Sequence, residues 1–210
     1  MTTRRLIGSR LLRLAHPEEV ATAIRPLMDG FGAPWCVAGG WAIDLFLGCA
    51  TRSHADLELA VFRSDQSLLH SQLHGWTFTV SVNGRREEWR QGDRLELPLH
   101  EIHAYSPDEP RRSIEFLLNE RDDANWVFRR DPAIVLPLDR AIVNTKFGVA
   151  ALSPEIVLLF KAKTPRAKDE ADYDAACAAM GDERRRWLRS ALLTRDPGHP
   201  WIPRLAPSTA

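Results

Sequence analysis

The sequence predicts an α+β protein, in which a small mixed β-sheet is flanked by helices and followed by a C-terminal helical part. Three observations support this class: helix and strand patterns are mixed before residue 150, only helical patterns occur from 153 to 195, and 44% of the 210 residues are hydrophobic. This composition suits one domain with a smaller helical partner. We predict an α/β domain over residues 1–150, a helical subdomain over 151–195 and an irregular tail over 196–210.

The first predicted helix begins at Pro17, because proline and the acids after it suit a first helical turn, and it ends at Gly30. An apolar strand over residues 35–38 then meets Gly39 and Gly40, and a short buried helix follows. Further strands are predicted over residues 56–62, 76–82, 85–90, 95–97, 101–105, 113–118 and 125–129, with a helix over 64–74.

The C-terminal part opens with Ser153, Pro154 and Glu155, which are typical of a helix start. Two more helices are predicted over residues 168–180 and 182–193. The Pro-rich sequence after them predicts no regular structure.

Charge and cysteine content narrow the classes of function. Acidic and basic residues balance at 28 each, which argues against duplex nucleic acid as the main partner and leaves a small ligand open. Three widely spaced cysteines predict reduced thiols in a cytoplasmic protein. No run of about 18 apolar residues occurs, so we predict no membrane span.

Two acids, Asp56 and Glu58, lie in the strand predicted over residues 56–62. A strand places such residues on one face, roughly 6.6 Å apart at the backbone. Close carboxylates repel each other, and a cation between them relieves the repulsion. Oxygen ligands favour magnesium or manganese. Taken alone, the pair also fits a half-exposed strand whose acids face water.

Gly39 and Gly40 separate a predicted strand from a predicted helix. Without a Cβ atom the backbone can approach a ligand closely, and amides at a helix start form an anion site. An ordinary tight turn is the alternative for two glycines alone.

The two features together resemble the signature of the nucleotidyltransferase superfamily typified by DNA polymerase beta. The surrounding sequence is similar to the aminoglycoside nucleotidyltransferase branch, which reads Gly-Gly-Trp, then Asp, then Thr-Arg-x-His-x-Asp. The matching residues here are Gly39, Gly40, Trp41, Asp44, Thr51, Arg52, His54 and Asp56. A later stretch also matches, at Lys163, Arg166, Lys168, Asp169 and Asp172.

The resemblance implies the nucleotidyltransferase fold and the transfer of AMP, or another nucleoside monophosphate, to a hydroxyl group of an aminoglycoside-like small molecule. The donor would be a nucleoside triphosphate, with ATP expected. Two Mg2+ ions would serve the reaction, with Asp56 and Glu58 as shared ligands. Glu115 would be the family's third carboxylate, acting as metal ligand or general base. Glu101 and His54 are its rivals as base. Two of these acids depart from the family's usual Asp, because positions 58 and 115 carry the longer Glu.

Lysine usage adds a nucleotide-binding hypothesis. Of 28 basic residues only four are lysines, and three of them lie within eight residues. Compact ammonium groups suit a triphosphate, which favours phosphate contacts by Lys163 and Lys168 with help from Arg166. A solvated helix end is the alternative. Arg52 and His54 would bind phosphates or hold their loop against Asp44.

Other functions remain open at this stage. The acceptor of a nucleotidyl group could instead be RNA or a protein, as in toxin–antitoxin relatives. A third alternative is a nucleotide-binding relative without catalysis. The resemblance also implies a homodimer, because the family's pocket often forms at a dimer contact.

Overall fold

A computed structural model describes residues 14–206 of the chain. Its helices are α1 Pro17–Met28, α2 Gly39–Leu47, α3 Leu68–Gln72, α4 Leu138–Ala141, α5 Pro154–Lys161, α6 Ala167–Ala179, α7 Asp182–Arg195 and α8 Trp201–Arg204. Its strands are β1 Trp35–Val37, β2 Leu57–Phe62, β3 Thr77–Val82, β4 Arg85–Glu88, β5 Glu101–Ser106, β6 Glu109–Arg121, β7 Asn125–Val127, β8 Val135–Pro137, β9 Ile142–Asn144 and β10 Ala150–Leu152.

The strands of the described residues form one ten-stranded sheet, which is mixed as predicted but larger than the small sheet expected from the sequence. Its main path runs β4-β3-β5-β6-β2-β1-β10-β9, and β7 and β8 extend from β6. Two pairs are parallel, β2 with β6 and β1 with β10, and the other neighbours are antiparallel. The α+β class is confirmed.

The register of the central strands places the acids together. Glu58 on β2 lies opposite Glu115 on β6, and Glu115 lies opposite His103 on β5. The neighbouring residues in sequence, such as Leu59 and Phe116, point to the other face and are fully buried. One face of the sheet therefore packs into the core, and the opposite face carries the acids.

The C-terminal helices cover part of the acidic face. Helix α2 contacts both α5 and α6. Glu155 on α5 is fully buried, and it accepts two hydrogen bonds from Arg184 on α7 at 2.7 and 2.9 Å. The predicted boundary at residue 150 falls inside β10, whose residue Ala151 pairs with Val37 of β1.

The structure corrects three local predictions. The tail predicted to be irregular contains α8, because Trp201 stacks on Tyr173 at 4.4 Å and its burial outweighs the effect of the prolines. No strand forms over residues 95–97, where the Leu95 amide instead donates to the Gln66 side chain. In place of one helix over residues 64–74, the structure has a 3-10 turn at Arg63–Asp65 and the short helix α3. Within the described residues, no helix has the length and apolar character needed to cross a bilayer.

Candidate active site

A cleft of about 460 Å³ lies between the acidic face of the sheet and helices α5 and α6. All ten residues that the sequence predicts for the site line it: Gly39, Gly40, Arg52, His54, Asp56, Glu58, Glu115, Lys163, Arg166 and Lys168. The cleft joins parts of the chain that are more than 120 positions apart. The cleft is lined by carboxylates, by the glycine pair and by basic side chains.

The three predicted metal ligands share the sheet side of the cleft. Asp56 is exposed and directly precedes β2, whereas Glu58 and Glu115 are partly buried on adjacent strands. Burial raises the pKa of Glu115 to about 7, and the charges of Glu101, Glu58 and Asp56 add to the rise. Clustered carboxylates with this mutual repulsion fit a divalent cation bound by oxygen.

His103 is a site residue that the sequence reasoning missed. Its Nε2 atom lies 2.8 Å from Glu101 Oε1, and its Nδ1 atom lies 3.6 Å from Glu115 Oε1. Ligand atoms of these three side chains all lie within 4.8 Å of one another. Alternation along β5 was the available signal, because Glu101 and His103 are two residues apart and share a face.

The raised pKa of Glu115 predicts how stability depends on pH. A carboxyl group whose pKa is higher in the folded state binds more protons when folded, so the free energy of unfolding falls as pH rises from about 4.5 to about 7. We expect metal-free Glu115→Gln to melt above the parent at pH 8 and at the same temperature at pH 4. Thermal melts with a chelator measure this, and a lower melting temperature at pH 8 would contradict it.

Positions 39 and 40 must be glycine, because neighbouring side chains leave no room for a Cβ atom at either position. Gly39 has a φ of +60°, and a Cβ atom there would overlap with the Glu58 carboxylate. A Cβ atom at Gly40 would overlap with the His54 ring and would lie 2.6 Å from Arg52 Nη2. Three predicted site residues therefore contact the start of α2, which no side chain caps.

Two predicted nucleotide ligands are held by carboxylates. His54 Nε2 lies 2.6 Å from Asp44 Oδ2, and Asp44 also accepts hydrogen bonds from Thr51. Arg52 donates two hydrogen bonds of 2.7 Å to Asp172 on α6. These contacts fix the loop before β2 against both α2 and α6. Binding of phosphates by Arg52 and His54 stays a prediction.

Asp172 ties the two sides of the cleft together. It is 1% exposed, and its Oδ2 atom also forms an ion pair with Lys161 Nζ at 3.0 Å. Burial acts to raise the pKa of Asp172, but the hydrogen bonds from Arg52 and Lys161 outweigh burial and hold it below its usual range.

Replacing Asp172 with asparagine removes a buried charge from its two cations. We expect the free energy of unfolding to fall by about 3 kcal/mol at pH 7, because breaking a buried ion pair leaves uncompensated charge. Urea denaturation measures this loss. Asp174→Asn, which alters an exposed acid on the same helix, is the control, and an equal effect of both changes would contradict the role of Asp172.

The lysine cluster divides into paired and unpaired groups. Lys161, which the sequence analysis did not select, pairs with Asp169 at 2.8 Å. Arg166 pairs with the same carboxylate at 2.9 Å. Among the described residues, Lys163 and Lys168 form no salt bridge, so their ammonium groups are available to a ligand in the cleft.

Comparison with known families decides the class of the protein. The profile of the aminoglycoside-2''-adenylyltransferase family matches residues 20–131, more than half of the chain. The chain belongs to this family. The matched region contains the glycine pair and all three predicted metal ligands. The predicted class of enzyme, a nucleotidyltransferase of the aminoglycoside branch, is confirmed.

Solved structures agree with the fold of this adenylyltransferase family member. The crystal structure of ANT(2'')-Ia in complex with adenylyl-2''-tobramycin has a TM-score of 0.58 and 19% identity, covering 85% of this chain and 97% of that one. The lincomycin-bound lincosamide antibiotic adenylyltransferase LnuA has a TM-score of 0.54 and 17% identity, covering 78% and 98%. No curated protein sequence matches the chain significantly.

Proposed function

We propose that this chain transfers AMP from ATP to a hydroxyl group of a small molecule. The observation that carries the proposal is that Asp56, Glu58 and Glu115 line one cleft with the glycine pair, Lys163 and Lys168. The family supports nucleotidyl transfer, and the small molecules bound to ANT(2'')-Ia and LnuA support a small acceptor.

Asp56 and Glu58 would hold divalent cations, because both carboxylates line the cleft, the charge of Asp56 raises the pKa of Glu58, and Glu58 lies against Gly39. Bound Mg2+ would stabilise negative charge on the phosphate oxygens during transfer. As expected from the sequence, we propose that two such ions bind.

Lys163 and Lys168 would bind the β- and γ-phosphates, and the amides at the start of α2 would face the same negative charge. With the triphosphate bound in this way, its α-phosphorus would lie near the acids. An acceptor hydroxyl oxygen then bonds to that phosphorus as the bond to pyrophosphate breaks.

Glu115 would accept the proton of the hydroxyl group. A pKa of about 7 suits a general base at neutral pH, and His103 contacts this carboxylate and would orient it. Glu101 remains the rival base. His54 is less suited, because its Nε2 atom contacts Asp44 and its Nδ1 atom is packed against Gly40.

The test is incubation with Mg2+, ATP labelled at the α-phosphate, and acceptors that include aminoglycosides, other hydroxyl compounds, cellular RNA and protein. We expect label in the small-molecule fraction and release of pyrophosphate. Label on RNA or protein would support the alternative acceptor, and label on nothing would support the non-catalytic alternative. Either result would refute the proposal. The dimer contact implied by the sequence stays a prediction.

A further inference from the structure

The acidic face of the sheet continues past Glu115 onto β5. Strand β6 lies between β2 and β5, so Glu58 is on one side of Glu115, and Glu101 and His103 are on the other. Neighbouring strands are about 4.8 Å apart, which separates β2 from β5 by roughly 9–10 Å. Glu101, His103 and Glu115, here called the β5 cluster, are therefore centred away from the predicted magnesium ligands on the β2 side.

Strand geometry directs the three side chains of the β5 cluster toward one point. Glu101 and His103 are two residues apart and share a face, and Glu115 lies opposite His103 on the antiparallel strand β6. Ligand atoms of the three lie within 4.8 Å of one another, with His103 Nε2 at 2.8 Å from Glu101 Oε1. Ligand atoms around a tetrahedral zinc ion are roughly 3.3 Å apart, because each lies about 2.0–2.1 Å from the metal. Small side-chain movements are thus enough to surround one ion.

The ring of His103 has the orientation of a metal ligand. It is 8% exposed, and its Nδ1 atom lies 3.4 Å from the Ser113 hydroxyl oxygen on β6. A metal-bound histidine commonly donates its second ring N–H to a nearby acceptor, which fixes the tautomer. When Nδ1 donates to Ser113, the lone pair of Nε2 faces the Glu101 carboxylate. A cation between these two atoms binds both of them.

The donor atoms distinguish the β5 cluster from the predicted magnesium site. Asp56 and Glu58 offer only oxygen, which suits Mg2+. An imidazole nitrogen beside two carboxylates suits Zn2+, and three protein ligands leave a fourth position for water. The cluster therefore favours an ion of a different class.

We propose that Glu101, His103 and Glu115 bind a Zn2+ ion, and that this ion inhibits nucleotidyl transfer by occupying the Glu115 carboxylate. Metal binding requires the deprotonated carboxylate and competes with a proton for it, so the proposed general base is withdrawn. Glu101, the rival base, is a ligand of the same ion. The binding of Zn2+ stands on the β5 cluster alone, whereas the inhibition rests on the proposed function.

Calorimetric titration of Zn2+ into the parent chain in excess Mg2+ tests the binding. In His103→Gln we expect Zn2+ to bind about tenfold or more weakly, with the affinity for Mg2+ and a non-hydrolysable ATP analogue changed by less than about twofold. The change removes a nitrogen ligand and leaves the carboxylates in place. Equal affinity of parent and variant for Zn2+, or loss of the binding in excess Mg2+, would overturn the inference.

A second variant guards against damage to the fold at the buried histidine. Glu101→Gln changes a side chain that is 43% exposed, and it should also weaken Zn2+ binding about tenfold or more. His74→Gln, at an exposed histidine after α3, is the matched control and should bind Zn2+ as the parent does. Unchanged affinity in Glu101→Gln, or an equal loss in His74→Gln, would contradict the β5 cluster as the site.

The label-transfer assay at buffered free Zn2+ tests the inhibition. At a Zn2+ concentration equal to the dissociation constant, we expect the parent to lose about half of its rate. His103→Gln should lose only about a tenth of its own zinc-free rate, as mass action at tenfold weaker affinity requires. Equal inhibition of both would place the effect at other ligands and overturn it. No transfer by the parent without zinc would refute the proposed function, while the calorimetry still decides the zinc site.

Discussion

Replacement of Glu58 with glutamine is expected to abolish nucleotidyl transfer. The amide keeps the size of the side chain but loses the charge that would hold a divalent cation. Removal of a metal ligand costs several kcal/mol of transition-state stabilisation, so we expect turnover to fall by about a thousandfold or more. Transfer of label from α-labelled ATP measures the loss.

When both proteins are free of metal, the Glu58→Gln variant is expected to be at least as stable as the parent. Burial raises the pKa of Glu58, and Asp56 and Glu101 add to the rise against the Lys161 ammonium group, so the charged form is disfavoured in the fold. Removal of this charge relieves the repulsion, and Lys161 keeps its two partners on α6. Thermal melts at pH 8 with a chelator measure the effect.

Glu96→Gln is the control, because this acid is 66% exposed and its partner in the described part of the chain is the exposed side chain of Arg94. It should leave both turnover and melting temperature unchanged. Turnover of the Glu58 variant within tenfold of the parent would contradict the metal-ligand role. A clear fall in its melting temperature would instead show that the glutamate stabilises the fold.

Replacement of Gly39 with alanine is expected to lower both stability and activity. The φ of +60° disfavours alanine by about 1–2 kcal/mol, and its Cβ atom would overlap with the Glu58 carboxylate. Overpacking adds about 1–3 kcal/mol, which gives an expected loss of about 2–5 kcal/mol. Activity falls as well, because the carboxylate has to move away from the glycine pair.

Gly75→Ala provides a matched control for backbone strain. Gly75 has a φ of +84°, and a Cβ atom there meets nothing within 4 Å. This control should lose only the backbone contribution and keep full activity. In a Glu58→Ala background, the cost of Gly39→Ala in unfolding free energy should fall to that of the control, as a double-mutant cycle reports. An equal cost of both changes in the parent would contradict the predicted overlap.

The local pattern of the sequence was enough to predict the acid pair, the glycine pair and the three C-terminal helices. The glycines carried the signal because their backbone positions tolerate no side chain. Contacts between elements that are distant in the sequence could not be predicted, since nothing in the pattern of β5 reveals that His103 pairs with Glu115 on β6. Arg52 was selected correctly as a cleft residue, but its partner Asp172 lies 120 positions away.

Short elements were also difficult to predict. Strands β8, β9 and β10 have three residues each, which is too few for alternation to be detected. Their identity is set by pairing, as when β10 joins β1 across more than 100 residues. The helix in the tail was missed because burial of Trp201 against Tyr173 depends on α6 being in place.

The hydrogen bonds between Arg52 and Asp172 also bear on how the protein is made. One wall of the cleft is translated early and the other late, and domains generally fold as units during synthesis. A nascent chain that ends before α6 lacks Asp172, the partner of Arg52, and also lacks Lys168. The two walls of the cleft are therefore joined only after α6 has been synthesised.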